Sequence, residues 1–153
     1  MNKVLITGVA GLLGSRLASW IIENTNYEVI GIDDLSGGYT ENIHNKVKFY
    51  KFNLNDFDSL KGVFEKEKIS IVYHFAAYAA EGLSPFIRKY NYDNNLITST
   101  NLITCSIQYN VSRFIFASSM SVYGDKYKPP FSEDMKQAPI DPYAVAKYAV
   151  EMD

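Results

Sequence analysis

Short apolar runs alternate along this chain with longer stretches whose apolar positions recur at helical spacing. Val4-Leu5-Ile6, Tyr27 to Ile32, Val47 to Phe52, Ile69 to Phe75 and Arg113 to Ala117 are rich in β-branched or aromatic residues and read as strands. Between them, Leu17, Ala18 and Ile21 suit one helix, and Asp56 can cap a second through Leu60, Val63 and Phe64. A third runs from Asn91 to Tyr109, with Leu96, Ile97, Thr100, Ile103 and Ile107 at helical spacing. Strand and helix alternate, which predicts an α/β fold: a doubly wound parallel sheet with right-handed crossovers. The segment Lys126 to Pro142 has no period and contains Pro129-Pro130, Pro139 and Asp141-Pro142, so it reads as a long loop.

The first crossover carries chemistry. Thr7-Gly8-Val9-Ala10-Gly11-Leu12-Leu13-Gly14 follows the first strand and opens the first helix. In that order Gly8 allows a tight turn, Gly11 lets backbone approach a pyrophosphate, and Gly14 lets helix pack on strand, while the helix N-terminus offers free N–H groups to the phosphates. The second strand ends at Asp33, about twenty residues past the turn, where a carboxylate can accept from adenosine ribose hydroxyls. A dinucleotide is therefore expected, and NAD over NADP, because Asp33 repels a 2′-phosphate and Asp34-Leu35-Ser36-Gly37-Gly38 offers no cation to bind one.

Composition narrows the rest. A chain of 153 residues with net charge −2 suits one domain, expected here to be a dinucleotide-binding domain over 1–153, and it presents no basic patch for nucleic acid or anionic membrane. Cys105 is the only cysteine and is expected to be a reduced core thiol; with no export signal and no membrane-length apolar run, a cytoplasmic location is expected. His44 has no partners at metal-ligand spacing, so no metal site is expected. His74 reads as a strand residue without a catalytic role, Glu65-Lys66-Glu67-Lys68 as a solvated helix end, and Trp20, Tyr78, Tyr90 and Tyr109 as packing or rim residues.

Tyr143 and Lys147 lie four apart at the start of a helix after Asp141-Pro142, on one face. An ammonium and a cationic nicotinamide ring both favour a phenolate, which turns a tyrosine into a proton acceptor. Spacing alone equally fits a surface pair. Ala117-Ser118-Ser119-Met120-Ser121-Val122-Tyr123-Gly124 adds hydroxyls at the C-terminal end of a strand, where open α/β sheets bind ligands.

With these motifs the sequence resembles the extended short-chain dehydrogenase/reductase family, in particular its UDP-galactose-type nucleotide-sugar 4-epimerases. The matching elements, in order, are Thr7 to Gly14, Asp33-Asp34-Leu35-Ser36, Asn53-Leu54, His74-Phe75-Ala76-Ala77, Tyr92-Asp93-Asn94-Asn95, the serine cluster and the Tyr143/Lys147 pair. The resemblance implies that Tyr143 is general base and acid, that Lys147 binds the nicotinamide ribose and lowers the tyrosine pKa, and that Ser119 bonds the sugar hydroxyl. It also places Leu12, Leu13, Asp34, Leu35, Ser36, Phe75, Ala76, Ala77 and Ser118 at the cofactor. Asn53 and Leu54 would lie against the adenine, and Asn94 would support the cofactor loops. Two positions depart from the family: Asn53 stands where an acid is usual, and Ala79 where 4-epimerases often have a lysine.

The implied reaction is NAD-dependent inversion of C4 in a nucleotide-diphosphate sugar, a UDP-hexose foremost, through a 4-keto intermediate. A 4,6-dehydratase of the same family would carry an Asp-Glu pair directly after the position of Ser119, where this chain has Met120-Ser121. Reductase and decarboxylase activities stay open, as does a silent NAD-binding module. The family's substrate lobe follows the region matched here. The chain is accordingly expected to be the N-terminal part of a longer, homodimeric enzyme and inactive alone, with apolar surface exposed where that lobe would sit.

Overall fold

The computed structural model describes residues 2–153, which divide into two compact units. The first comprises the chain up to Ala77 together with Asn101–Ala117, and the second comprises Tyr78–Thr100 and Ser118–Asp153.

The first unit is a five-stranded parallel sheet of β1 (Lys3–Thr7), β2 (Glu28–Asp33), β3 (Lys48–Lys51), β4 (Ile71–His74) and β5 (Arg113–Phe116), in the order β3-β2-β1-β4-β5. All five expected strands are present: β1 extends one residue further at each end, β2 is shifted by one residue, and β3, β4 and β5 are shorter than expected by two, three and one residues. Helices α1 (Leu12–Asn24) and α2 (Phe57–Glu67) form the crossovers. Strands covered on both faces need apolar side chains in both directions, and β1 shows this residue by residue. Val4 and Ile6 pack with Val9, Ala18, Ile21 and Val29 on the α1 side. Leu5 points the other way, into a core of Ile30, Ile32, Leu60, Phe64, Val72, Leu102 and Cys105. Burial of side chains such as Leu5 and Phe64 stabilises the fold by about 1.5–3 kcal/mol each. Asp56 caps α2 as expected, accepting from Ser59 N–H at 3.1 Å.

β1 lies between β2 and β4, and the chain leaves it in opposite directions to each side. Such a switch point opens a crevice at the C-terminal strand ends, where Thr7 and His74 sit side by side in register.

The second unit is built on helices. α3 (Arg88–Tyr92) passes through a π-helical turn at Asp93–Ile97 into α4 (Thr98–Gln108), whose residues from Asn101 onward belong to the first unit, and α5 (Pro142–Met152) packs on α3 and the π turn. The helix expected from Asn91 thus begins earlier and is interrupted. Its buried positions are Asn91, Asn95, Thr98, Ser99, Leu102, Cys105 and Ser106, whereas Ile97 and Ile107 are 44% and 72% exposed. The apolar positions chosen by spacing therefore do not define the inner face. Local hydrogen bonds explain this, because Thr98, Ser99 and Ser106 each donate their hydroxyls to the carbonyl four residues back, at 2.7–2.8 Å, so polar side chains can be buried satisfied.

Candidate active site

The glycine turn has the shape a phosphate cradle requires. Gly8 has φ +71°, and a Cβ there would lie 2.7 Å from Ala76 N; a Cβ on Gly14 would lie 2.2 Å from the Gly8 carbonyl oxygen. Neither position admits a side chain, so the turn lies flat under the helix start. Gly11 is the N-cap of α1 and supplies no side-chain cap, and the first turn carries no acidic residue. Its N–H groups are left for an anion, and the positive end of the helix dipole adds to them. Leu12 and Leu13, at the head of the helix, have largely exposed side chains.

The turn is pinned from the second strand. Asp33 Oδ2 accepts from Ala10 N–H at 3.0 Å and Oδ1 from Leu35 N–H at 2.8 Å, while the Ala10 carbonyl accepts from Tyr39 N–H and the Asn42 amide. Each Asp33 oxygen keeps lone-pair capacity for a further donor. Leu35 has φ +64°. Asp34 accepts from Ser36 N–H at 2.8 Å and from the Asn53 amide at 2.6 Å. Burial pushes the Asp34 carboxyl up, but the hydrogen bonds from Ser36 and Asn53 outweigh it and hold the group below its usual range. An acid at 53 would set two carboxylates against each other; the amide avoids this, and its own oxygen accepts from Asn55 N–H. Leu54 departs from the expectation of an adenine wall. It is 4% exposed and packs in the α2 core, and its carbonyl accepts from the Asn101 amide.

At the end of β4, His74 is buried, shares a 2.6 Å hydrogen bond with the Thr7 hydroxyl, and packs against Phe114 and Phe116. Ala76 N–H donates to Thr7 Oγ1, fixing Phe75 and Ala76 over Gly8, and Ala77 is exposed.

In the second unit, Asp141 caps α5 by accepting from Ala144 N–H at 2.9 Å, and it is itself held by the Ser84 hydroxyl at 3.2 Å. The cap sets the phase of the helix, which buries Tyr143, Ala146, Lys147 and Val150 along one face. The Lys147 ammonium lies 5.8 Å from the Tyr143 ring centre. Ser119 caps the short turn Met120–Tyr123 and lies in the neighbourhood of the Tyr143 phenol. The structure therefore brings Ser119, Tyr143 and Lys147 together. Burial pushes the Tyr143 phenol above its ordinary value; the Ser119 hydroxyl works against that rise, and the Glu81 and Asp141 carboxylates add to it. Burial also drives the Lys147 ammonium down, to about 8.

Ser118 and Asn94 are placed differently from expectation. The exposed Ser118 hydroxyl bonds the Glu151 carboxylate on α5. Asn94 donates to the Tyr90 carbonyl within its own helix. Asn95 clamps both backbone groups of Tyr78 at 2.9 and 3.1 Å and donates to Asn91, which in turn donates to the Pro142 carbonyl at the start of α5. The Lys126 to Pro142 loop folds back on the serine turn. Ala138 N–H donates to the Val122 carbonyl, Phe131 stacks on Tyr123, and a Cβ on Gly124 would meet the Ala138 carbonyl at 2.1 Å.

One expectation is overturned. Glu67 is not part of a solvated helix end: its side chain is fully buried, 2.8 Å from Lys3 Nζ, 2.6 Å from Lys48 Nζ and 2.5 Å from the Tyr50 hydroxyl. Burial pushes this carboxyl up, but the three hydrogen bonds outweigh it and lower it to about 2. Cys105 is buried, and burial pushes its thiol up, as suits an inert core cysteine. Among the described residues no group of three or more His, Cys, Asp or Glu could hold a metal ion, and no helix is long and apolar enough to cross a membrane.

A parallel sheet in this strand order with a glycine turn at its switch point defines a Rossmann-type dinucleotide-binding fold. The sequence matches the NAD dependent epimerase/dehydratase family over residues 4–153, and the chain belongs to that family. It is 36% identical to a UDP-glucose 4-epimerase of Schizosaccharomyces pombe, across 98% of this chain and 45% of that protein. The crystal structure of Thermotoga maritima UDP-glucose 4-epimerase with UDP-glucose superposes with a TM-score of 0.94 at 36% identity, across 98% of this chain and 49% of that one. The Brucella ovis UDP-glucose 4-epimerase in complex with NAD gives 0.93 at 30% identity, across 99% of this chain and 46% of that one. The chain spans about half the length of these relatives.

Proposed function

We propose that this chain carries the cofactor-binding and proton-transfer residues of an enzyme that inverts C4 of a nucleotide-diphosphate hexose, with a UDP-hexose the foremost substrate. The observation that carries the reading is the cluster of Ser119, Tyr143 and Lys147. Bound NAD supplies the acceptor and donor of the C4 hydride. The α1 N-terminus with Gly8, Gly11 and Gly14 holds its pyrophosphate, and Asp33 takes the adenosine ribose hydroxyls. Leu12 and Leu13 through their backbone, Asp34 to Ser36, and Phe75 to Ala77 form the walls. Asn53 stands beside Asp34 at the adenine end.

Tyr143 takes the proton of the sugar 4-hydroxyl as that carbon is oxidised and returns it when the keto group is reduced from the other face. Ser119 donates to the same oxygen and holds the sugar hydroxyl in line. Lys147 contributes its charge beneath the tyrosine and binds the nicotinamide ribose. Met120 and Ser121 offer neither the acid nor the base that water loss across C5 and C6 needs, which favours epimerisation over dehydration. The buried, inert thiol suits a cytoplasmic setting, and a homodimer is the proposed assembly of the full-length enzyme.

Calorimetry of this chain with NAD, together with turnover of UDP-galactose and UDP-N-acetylglucosamine by the protein in which it occurs, tests the reading. Tyr143→Phe is expected to abolish most turnover and to leave NAD affinity near the unsubstituted value. Near-normal kcat in that variant removes Tyr143 from its role.

A further inference from the structure

Asn91 and Asn95 are both 1% exposed, one near the end of α3 and the other in the π turn. An amide buried this deeply has to satisfy both ends of its side chain, and these two do so in series. Asn95 Oδ1 accepts from Tyr78 N–H at 2.9 Å, and its Nδ2 donates to the Tyr78 carbonyl at 3.1 Å and to Asn91 Oδ1 at 2.9 Å. Asn91 is thereby left with its Nδ2 facing the Pro142 carbonyl, to which it donates at 2.9 Å. Each amide fixes the orientation of the next, because turning one over would set donor against donor or acceptor against acceptor.

We propose that Asn91 is a positioning residue for Tyr143: it ties the first turn of α5 to the Tyr78 backbone through Asn95, and so holds the phenol where proton transfer requires it. This rests on the reading of Tyr143 as the proton acceptor. Pro142 is the first residue of α5 and Tyr143 the second, so a displacement at the Pro142 carbonyl passes directly to the backbone that carries the phenol. Tyr78 follows Ala77, the last residue assigned above to the cofactor wall. The relay therefore links the proton acceptor to the segment that continues from that wall. A misplacement of about 1 Å between reacting groups costs on the order of a hundredfold in rate.

The other bonds at the head of α5 do not replace this one. Asp141 caps the helix by accepting from Ala144 N–H, which sets the phase of the helix without tying it to another element. The Ser84 hydroxyl reaches Asp141 at 3.2 Å, but it lies 2.7 Å from the Glu81 carbonyl and has a single proton for the two acceptors. Asn91 spends one hydrogen on Pro142 alone, from a helix against which α5 packs.

The test is Asn91→Asp, which keeps the shape and still accepts from Asn95 but sets a carboxylate against the Pro142 carbonyl. Hydrogen exchange of this chain, with neither NAD nor sugar present, is read at the amides of Val145 to Lys147 and, as a reference for overall stability, in β1 and β4. At pH 7.5 protection in α5 is expected to fall about tenfold further than in the strands. Lowering the pH protonates the introduced carboxyl and restores a donor to the Pro142 carbonyl, so α5 protection is expected to return towards the unsubstituted value. Asn91→Leu removes both ends of the amide; it is expected to lose the protection at every pH, and it preserves the test if Asn91→Asp does not fold at pH 7.5. In the protein in which the chain occurs, Asn91→Asp is expected to lower kcat for UDP-galactose about tenfold at pH 7.5 and to leave KM within about twofold, a split that a general loss of structure does not produce. Unchanged α5 protection in both variants, a loss shared equally by the strands, or a normal kcat in a variant whose α5 is loosened overturns the proposal. Absence of turnover in the unsubstituted protein refutes the epimerase reading instead, and the exchange result decides whether Asn91 holds α5 in either case.

Discussion

The Glu67 carboxylate and the Lys48 ammonium lie 2.6 Å apart, the glutamate with no exposed side-chain surface and the lysine half exposed. Lys3 and Tyr50 complete the cluster, so one residue at the end of α2 ties together β1, β3 and the base of the sheet. Removing a buried carboxylate that two cations and a hydroxyl share leaves those donors without an acceptor, although both lysines reach water. Glu67→Ala is expected to cost about 2–4 kcal/mol, read as a lower urea midpoint at pH 7. Because the folded pKa is about 2 and the ordinary value is 4.5, the stabilisation is complete above pH 4.5 and is lost as pH falls towards 2. The variant should therefore lose less stability than the unsubstituted chain over that interval. Equal stability of the two at pH 7 would remove Glu67 from this role.

Why this residue reads as solvated in the sequence has a physical answer. Alternating Glu and Lys at a helix end is the usual pattern of an exposed face, and nothing local shows that Lys3 and Lys48 arrive from two other strands. The strands, their parallel order, the glycine turn and the Asp56 cap were legible because each depends on neighbours within a few residues. The clamp of Asn95 on Tyr78 was not, since the π turn at Asp93–Ile97 rotates the phase of the helix and has no signature in residue types. Ser119, Tyr143 and Lys147 were found through the order of several motifs, while the donation from Asn91 to the Pro142 carbonyl is visible only in three dimensions.

Two glycines in the first unit should respond oppositely to alanine. At Gly62, inside α2, a Cβ meets nothing within 4 Å, so Gly62→Ala is expected to stabilise by about 0.5–1 kcal/mol through helix propensity alone. At Gly14 the same methyl would lie 2.2 Å from the Gly8 carbonyl oxygen, forcing α1 away from the turn. Gly14→Ala is expected to destabilise by roughly 1–3 kcal/mol and to weaken NAD binding, both measurable by thermal shift with and without NAD. Unchanged NAD affinity in Gly14→Ala would argue against the turn as the phosphate site.

Asp33 sets the expected choice between NAD and NADP. Its carboxylate sits at the end of β2 with both oxygens fixed by backbone N–H groups, so it cannot swing away from a 2′-phosphate without releasing Ala10 and Leu35. Binding of NAD is expected to be tighter than that of NADP, and Asp33→Ser should narrow the gap while weakening NAD itself, because the pin on the turn is lost as well. Titrating both cofactors against both proteins decides it, and equal or tighter binding of NADP by the unsubstituted chain would refute the assignment.

Lys147 should carry a stability cost. It is 3% exposed, and burial lowers its pKa from 10.5 to about 8. In the unfolded chain the ammonium stays charged to about pH 10.5, so between pH 8 and 10.5 the unfolded state binds the extra proton and stability rises with pH; below 8 the full cost of the buried charge is present. Lys147→Met keeps the aliphatic stem and removes the charge. It is expected to stabilise the cofactor-free chain by roughly 1–3 kcal/mol at pH 7 and to flatten the rise between pH 8 and 10. Denaturant melts of both proteins at pH 7 and pH 9.5 measure the difference. A variant less stable than the unsubstituted chain at pH 7 would mean that contacts made by the ammonium outweigh its desolvation, and the lysine would then be a structural residue as well as a functional one.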